Sequence, residues 1–213
     1  VVRNEIKGLG ITQVICADIN NDQTLDLFIE VFKGGNSMGS FDTFVYSLSL
    51  KIEKLFQYST KTQGIEDLNG DGYKEIISSY DLSFFGGLCH ACSPYPPLVL
   101  CMKENKFNDC TEQFPSFLLK KFNESKKELQ LGLKNSHVES DPISVLGGDA
   151  IEVLVLGRML GQEKQALSYL KRYLPFKVLK WMEGEKEKLI SSMTLDEDPK
   201  PKEVDSLAGN WKV

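Results

Sequence analysis

From residue 12 to residue 102, apolar positions fall in short runs rich in β-branched and aromatic side chains; beyond Pro115 they recur every three or four residues. The first pattern predicts strands at TQVICADI, LDLFIEVF, DTFVYSLSL, LFQYST, KEIISSY and PLVLCM, because such side chains suit a pleated, half-buried surface. Turn-forming stretches separate them: NND, KGGNSMGS, NGDG and KENKFND. LVLCMKENKFNDCT reads as a hairpin closing around Glu104 and Asn105. In the second pattern, PSFLLKKFNESKKELQLGL starts a helix after Pro115, a residue suited to a first helical turn. Residues 122 to 144 are polar and read as a helix end and a loop. DAIEVLVLGRMLGQEKQALSYLKRYL reads as two short helices joined near Gly161. Their apolar faces use Ile151, Leu154, Val155 and Met159, then Leu167, Leu170 and Leu174. Pro175 ends that pair, and FKVLKWMEGEKEKLISSM is a further amphipathic helix, weakened by Gly184. From Asp196 onward DEDPKPKEVDS reads as a flexible tail, with LAGNWKV able to dock back through Trp211.

Composition narrows the class. A chain of 213 residues can bury a real core, as one full domain or two small ones. Its net charge of -5 argues against a nucleic-acid partner or an anionic membrane, both of which need a basic surface. No apolar run approaches the ~20 residues that span a bilayer. The longest, around Ile151 to Leu160, is broken by Glu152, Gly157 and Arg158. The chain starts at Val1, which suits a trimmed chain or a mature form whose signal segment is gone.

Two short stretches carry specific chemistry. DLNGDGYKE, from Asp67 to Glu75, places oxygen-bearing side chains at alternate positions with glycines between them. DINNDQTLD, from Asp18 to Asp26, repeats the arrangement 49 positions earlier. A hard divalent cation such as Ca²⁺ takes six to eight oxygens at ~2.3–2.6 Å, and a tightly turning loop can point alternate side chains inward to supply them. The second loop offers Asp67, Asn69, Asp71, the Tyr73 carbonyl and Glu75; the first offers Asp18, Asn20, Asp22, the Thr24 carbonyl and Asp26. Gly70 and Gly72 permit the left-handed dihedrals of such a turn. In the first loop Asn21 and Gln23 stand in their places, and Gln tolerates that conformation poorly, so a weaker or degenerate site is expected there. The plainer alternative is that Asp, Asn and Gly simply make good turns between strands.

An EF-hand would need Glu at the twelfth position and helical flanks; Ile29 and Ser78 stand there, and the flanks are strand-like. An acid at the ninth position between two strands instead resembles the FG-GAP/VCBS type of repeat, over about 25 residues per copy, with LNGDGYKEI the nearer match. The resemblance implies calcium bound in a β-hairpin loop, blade-like β units and an exported protein. Only two copies are visible and a closed propeller needs at least four blades, so a β region of two units is expected.

Four of the five cysteines, Cys89, Cys92, Cys101 and Cys110, lie within 22 positions. Cys101–Cys110 could bridge the hairpin and Cys89–Cys92 could close a small loop, although four cysteines allow three connectivities. A zinc- or thiol-dependent site on the Cys89–Cys110 cluster is the other reading, but a second short-spaced pair is missing, and Ser93, Pro94, Tyr95, Pro96 and Pro97 bar the helix a redox dithiol needs. Cys16 reads as a core thiol.

Nothing positively supports an enzyme. His90 and His137 are the only histidines, no nucleophile elbow is present, and neither KGGNSMGS nor FFGGL forms a phosphate loop. GGNSMGSFDTF and SFFGGLCHACSPYPP follow the two acidic loops at matching places and would form a recognition surface for a protein or glycan if they share one face. The expected fold class is α+β. An antiparallel β region over residues 1–112 has two blade-like units with Asp-rich loops; a helical region over 113–193 packs on it, and a tail covers 194–213. The expected function is a non-catalytic, calcium-stabilised binding or structural module outside the cytoplasm (periplasmic, secreted or cell-surface). An extracytoplasmic hydrolase or other enzyme is the alternative, and the zinc or thiol protein a second.

Overall fold

The computed structural model describes residues 8–103, 106–135 and 141–192. The turn at Glu104 and Asn105, His137, and the tail from residue 194 with Trp211 lie outside the described residues. The architecture is α+β: two antiparallel four-stranded sheets in the N-terminal half, then four helices. Strands β1 (Gly10–Ala17), β2 (Asp26–Phe32), β3 (Phe41–Ser47) and β4 (Glu53–Tyr58) form the first sheet in chain order. Strands β5 (Gly64–Glu66), β6 (Glu75–Ser79), β7 (Pro97–Lys103) and β8 (Lys106–Asp109) form the second in the same way. The helices are α1 (Pro115–Asn135), α2 (Pro142–Met159), α3 (Glu163–Tyr173) and α4 (Phe176–Ser192).

The period-two pattern explains how the sheets meet. Ile15, Phe28, Val45 and Phe56 stand opposite one another along successive strands of the first sheet. All four point toward the core that Ile76, Leu98 and Leu100 build from the second sheet. The opposite face of the second sheet is covered too: Val99 packs with Cys110 and Phe114 beside the start of α1. Both faces of β6 and β7 are therefore buried; β7 accordingly reads as the continuous apolar run PLVLC, whereas β6 buries Glu75, Ser78 and Ser79 beside Ile76 and Ile77. The helices enclose a separate core centred on α2, whose Ile151, Leu154, Val155 and Leu156 are buried against α1, α3 and α4.

One expectation is met and two features differ from the sequence reading. Helix α1 ends at Asn135, within the stretch 122–144 read as a helix end and a loop, and Leu118, Phe122, Ser125 and Leu129 keep a buried stripe at helical spacing inside its polar sequence. Helix α2 begins at Pro142, well before Asp149, and its early glycines have a packing reason. A Cβ at Gly148 would lie 2.2 Å from the Cys92 carbonyl oxygen, so only glycine lets the helix approach that loop. Cys16 is exposed rather than core: β1 is an edge strand, and Cys16 alternates with Ile15 to face away from the second sheet.

Candidate metal centre

The two acidic loops occupy equivalent places: Asp18–Asp26 joins β1 to β2, and Asp67–Glu75 joins β5 to β6. Most of their hydrogen bonds match position for position, the difference being that Asp18 Oδ1 accepts from the fifth residue, Asp22, and Asp67 Oδ1 from the fourth, Gly70. The closing carboxylate reaches back to the second residue of each loop: Ile19 N–H donates to Asp26 Oδ2 at 2.9 Å, and Leu68 N–H to Glu75 Oε2 at 2.8 Å. The opening carboxylate accepts from the sixth residue, Gln23 N–H to Asp18 Oδ2 at 2.8 Å and Gly72 N–H to Asp67 Oδ2 at 3.0 Å. The fifth-position acid accepts from the seventh, Thr24 N–H to Asp22 Oδ1 at 2.7 Å and Tyr73 N–H to Asp71 Oδ1 at 2.8 Å. The third-position amides join in as well, Asn20 Nδ2 to Asp22 Oδ2 at 2.9 Å and Asn69 Nδ2 to Asp71 Oδ2 at 2.8 Å.

Backbone conformation completes the match. Gly70 and Gly72 have φ of 78° and 91°, and Asn21 and Gln23 adopt 56° and 66° at the same positions. The first loop thus takes the turn of the second without its glycines, with strain at Gln23 of about 1–2 kcal/mol. The loops also touch. Lys74 N–H donates to the Ile19 carbonyl at 2.8 Å, and a Cβ at Gly72 would sit 2.7 Å from Asn21 Nδ2.

Electrostatics distinguishes the acids. Burial pushes the Asp26 carboxyl up from its ordinary value, and the charges of Asp22 and Asp18 push the same way. Glu75 is raised by burial, then by Asp71 and Asp67. Asp22 is held low, first by the Asn20 amide and then by the Thr24 N–H. At Asp67 desolvation is opposed and outweighed by the N–H groups of Gly72, Gly70, Asp71 and Asn69, so its carboxyl also lies low. Asp26 is 0% exposed, and its Oδ1 is the one buried side-chain oxygen or nitrogen without a hydrogen-bond partner among the described residues. An orphaned carboxylate oxygen beside two further acids is the chemistry a cation would satisfy. The alternating carboxylate, amide and carbonyl oxygens suit Ca²⁺ as ligands. Among the described residues no three His, Cys, Asp or Glu side chains gather closely enough to hold a metal by themselves, so amide and backbone oxygens would have to share the task.

The cysteines pair as two disulfides, Cys89–Cys92 and Cys101–Cys110, so the four sulfurs of the zinc reading are bonded to one another. Disulfides are typical of extracytoplasmic proteins, and no described helix is long and apolar enough to cross a membrane. Gly39 N–H in the first Gly-rich segment donates at 3.2 Å to Oδ2 of Asp81, which lies two residues before the second segment. Beside them Ser83 donates to Asp81, Ser83 Oγ and Tyr95 Oη lie 3.3 Å apart, and Tyr95 Oη is 3.0 Å from His90 Nε2. Tyr95 stands between the histidine and the serine, so His90 is not placed as that serine's base.

Sequence reasoning missed a buried polar seam. Glu30 accepts from Thr62 N–H at 2.6 Å and from Thr12 Oγ1 at 2.7 Å, and Thr43 Oγ1 lies 3.1 Å from Thr62 Oγ1. A lone Glu within the apolar LDLFIEVF was the available signal. A cavity of about 570 Å³ lies between the second sheet and helices α2 and α4, with Tyr80, Asp109, Arg158, Glu163 and Lys186 in its walls. Those groups largely satisfy each other: Tyr80 donates to Asp109, and Lys186 pairs with Glu163 at 2.6 Å. Comparison with protein-family models, curated proteins and solved structures finds no match to this chain.

Proposed function

We propose that the chain is a calcium-braced, non-catalytic binding or structural module of an exported protein, with its two sheets acting as units of the FG-GAP/VCBS type. Asp67, Asn69, Asp71, the Tyr73 carbonyl and Glu75 would hold one ion; Asp18, Asn20, Asp22, the Thr24 carbonyl and Asp26 would hold another. The cation would neutralise carboxylates that the fold crowds together. The observation that carries this reading is the buried, unpartnered Oδ1 of Asp26 at the end of a loop whose hydrogen bonds repeat in its twin.

Backbone N–H groups orient Asp18, Asp22, Asp67 and Asp71, and Asp26 and Glu75 anchor the strand ends, so a bound ion would have to draw these carboxylates inward from their bonds within the loops. At the ~10⁻⁴–10⁻³ M affinity of extracellular modules, millimolar calcium adds about 0.5–1.5 kcal/mol per site. That magnitude suits a structural brace. Melting curves in calcium and in EGTA test it. The melting temperature is expected to rise with calcium and to rise less for Asp71→Ala; no rise, together with an unchanged melt for the variant, would remove the proposal.

A further inference from the structure

The two sheets differ in what covers them. The second is buried on both faces, whereas the first is covered only where Ile15, Phe28, Val45 and Phe56 turn toward the second. Side chains alternate across a strand, so the neighbours of those residues stand on the outer face. Strand register sets them in rows. Val14, Ile29, Phe44 and Gln57 cross the middle of the face, and Cys16, Leu27, Tyr46 and Lys54 lie on one side of them. On the other side Ile11 and Val31 lead to Asp42. No apolar residue of these rows belongs to any of the three apolar clusters of the described residues. Ile11 is 61% and Val14 55% exposed, Cys16 is exposed, and Leu27, Ile29, Phe44 and Tyr46 are half-buried. The middle of the face carries no charge. At one end Asp42 accepts from Lys33 at 2.7 Å and from Ser59, both at Oδ1. Toward the other end Lys54 is exposed and donates to Gln57.

A broad apolar face with charge only at its ends marks a protein interface, and an apolar sheet face packs best on another sheet. Four strands ~4.8 Å apart and about 20 Å long give such a face about 400 Å² in plan. Standing side chains raise accessible area above the plan, so two copies pressed together bury on the order of 1,200 Å² in total, the lower end for a specific dimer. The charges also suit a second copy. A two-fold axis lying above the middle row and parallel to it turns the copy end for end. Val14, Ile29 and Phe44 then meet their own counterparts, and Lys54 of each copy comes toward Asp42 of the other, whose Oδ2 is not engaged by Lys33 or Ser59. We propose that the outer face of the first sheet is the interface of a homodimer, sheet on sheet. A partner of unrelated sequence would not give this exchange of Asp42 and Lys54 between the two ends. The face is apolar whether or not the acidic loops hold an ion, so the dimer does not depend on calcium.

Cys16 is the one cysteine outside the two disulfides, so a brief pulse of a thiol reagent reports on this face alone. Sedimentation velocity of the full chain reports the assembly. The expected result is a passage from monomer to dimer between about 1 and about 300 µM, with Cys16 labelling at least about fivefold slower in the dimer. Val14→Lys sets two lysines against each other on the axis and should weaken the dimer at least about 100-fold. Lys54→Glu changes only an exposed side chain, faces Asp42 of the other copy, and should weaken it about fivefold. Phe176→Lys, at a position 79% exposed at the start of α4, should leave it unchanged. Melts of the dilute variants show that each is folded, and Lys54→Glu decides the matter if Val14→Lys is not. A monomer at every concentration with fast labelling would overturn the inference. So would a dimer that leaves Cys16 labelling fast or ignores both changes, which would place the contact on another face. Slow labelling of a monomer would mean that a segment of the chain itself covers the face, and would overturn a second copy as its occupant.

Discussion

Asp26→Asn is the perturbation whose sign depends on calcium. The carboxylate is buried, one oxygen accepts the Ile19 N–H, and the other has no partner while Asp18 and Asp22 stand close enough to raise its pKa. A buried unsatisfied acceptor costs about 1–3 kcal/mol. Asn removes the charge and keeps the acceptor for Ile19, but it leaves an amide in the same place, so about 0.5–1.5 kcal/mol should be recovered. For a chain of this length each kcal/mol moves the melt by about 2–4 °C, so in EGTA near neutral pH the variant should melt about 1–6 °C higher. In millimolar calcium it loses one site's contribution, about 0.5–1.5 kcal/mol, so the calcium-induced rise should fall to about half that of the parent. Differential scanning calorimetry in the two buffers reads both quantities. An identical calcium-induced rise in variant and parent would refute a ligand role for Asp26. A melt several degrees lower in EGTA would refute the claim that its charge is a liability in the metal-free fold.

Three further outcomes follow from named contacts. Gln23→Gly relieves a left-handed residue at φ 66°; the gain of about 1–2 kcal/mol is offset by glycine's freedom in the unfolded chain, so a net stabilisation of about 0.5–1 kcal/mol is expected in denaturant titration. Glu30→Ala strips the acceptor from the Thr62 N–H and from Thr12 Oγ1, which should cost about 1.5–3 kcal/mol by the same titration; no loss would mean that the seam is not structural. Asp149 is pushed up to about 6, first by burial and then by the charges of Glu152 and Glu128. A raised carboxyl weakens the fold only where it is ionised, so the cost is absent below the unfolded value near 3.9 and complete above about 6. Asp149→Asn should therefore add about 1–2 kcal/mol at about pH 8, after allowance for solvent screening, and nothing at about pH 4. A gain of equal size at both pH values would sink that assignment.

What could be read from the sequence was local. Coordination chemistry needs donors at fixed short spacing, so Asp67, Asn69, Asp71 and Glu75 stand out without any knowledge of the fold. The strands of both sheets and the helix joint at Gly161, where φ is 68°, were legible for the same reason. Strand β5 was not, because the three residues of GIE offer too little pattern. The helical spacing of Leu118, Phe122, Ser125 and Leu129 carries α1 through a polar stretch to Asn135, whereas the start of α2 at Pro142 was hidden by that polar composition. Cys16 was misread because a sequence does not say which apolar strand lies at a sheet edge. Contacts between distant segments were invisible: Lys74 with Ile19, Gly39 with Asp81, and Glu30 with Thr62. The left-handed turn expected at Gln23 is present, at φ 66°, with its N–H bonded to Asp18.

The most direct measurement is a crystal structure grown in millimolar calcium, with anomalous scattering recorded at the loops. The expected result is a peak enclosed by the oxygens of Asp67, Asn69, Asp71, Tyr73 and Glu75, and a second beside Asp26 with its Oδ1 as a ligand. Loops without a peak, with Asp18, Asp22, Asp67 and Asp71 still bonded only to backbone and amide N–H groups of their own loops, would contradict the central claim and leave two well-made turns in place of two metal sites.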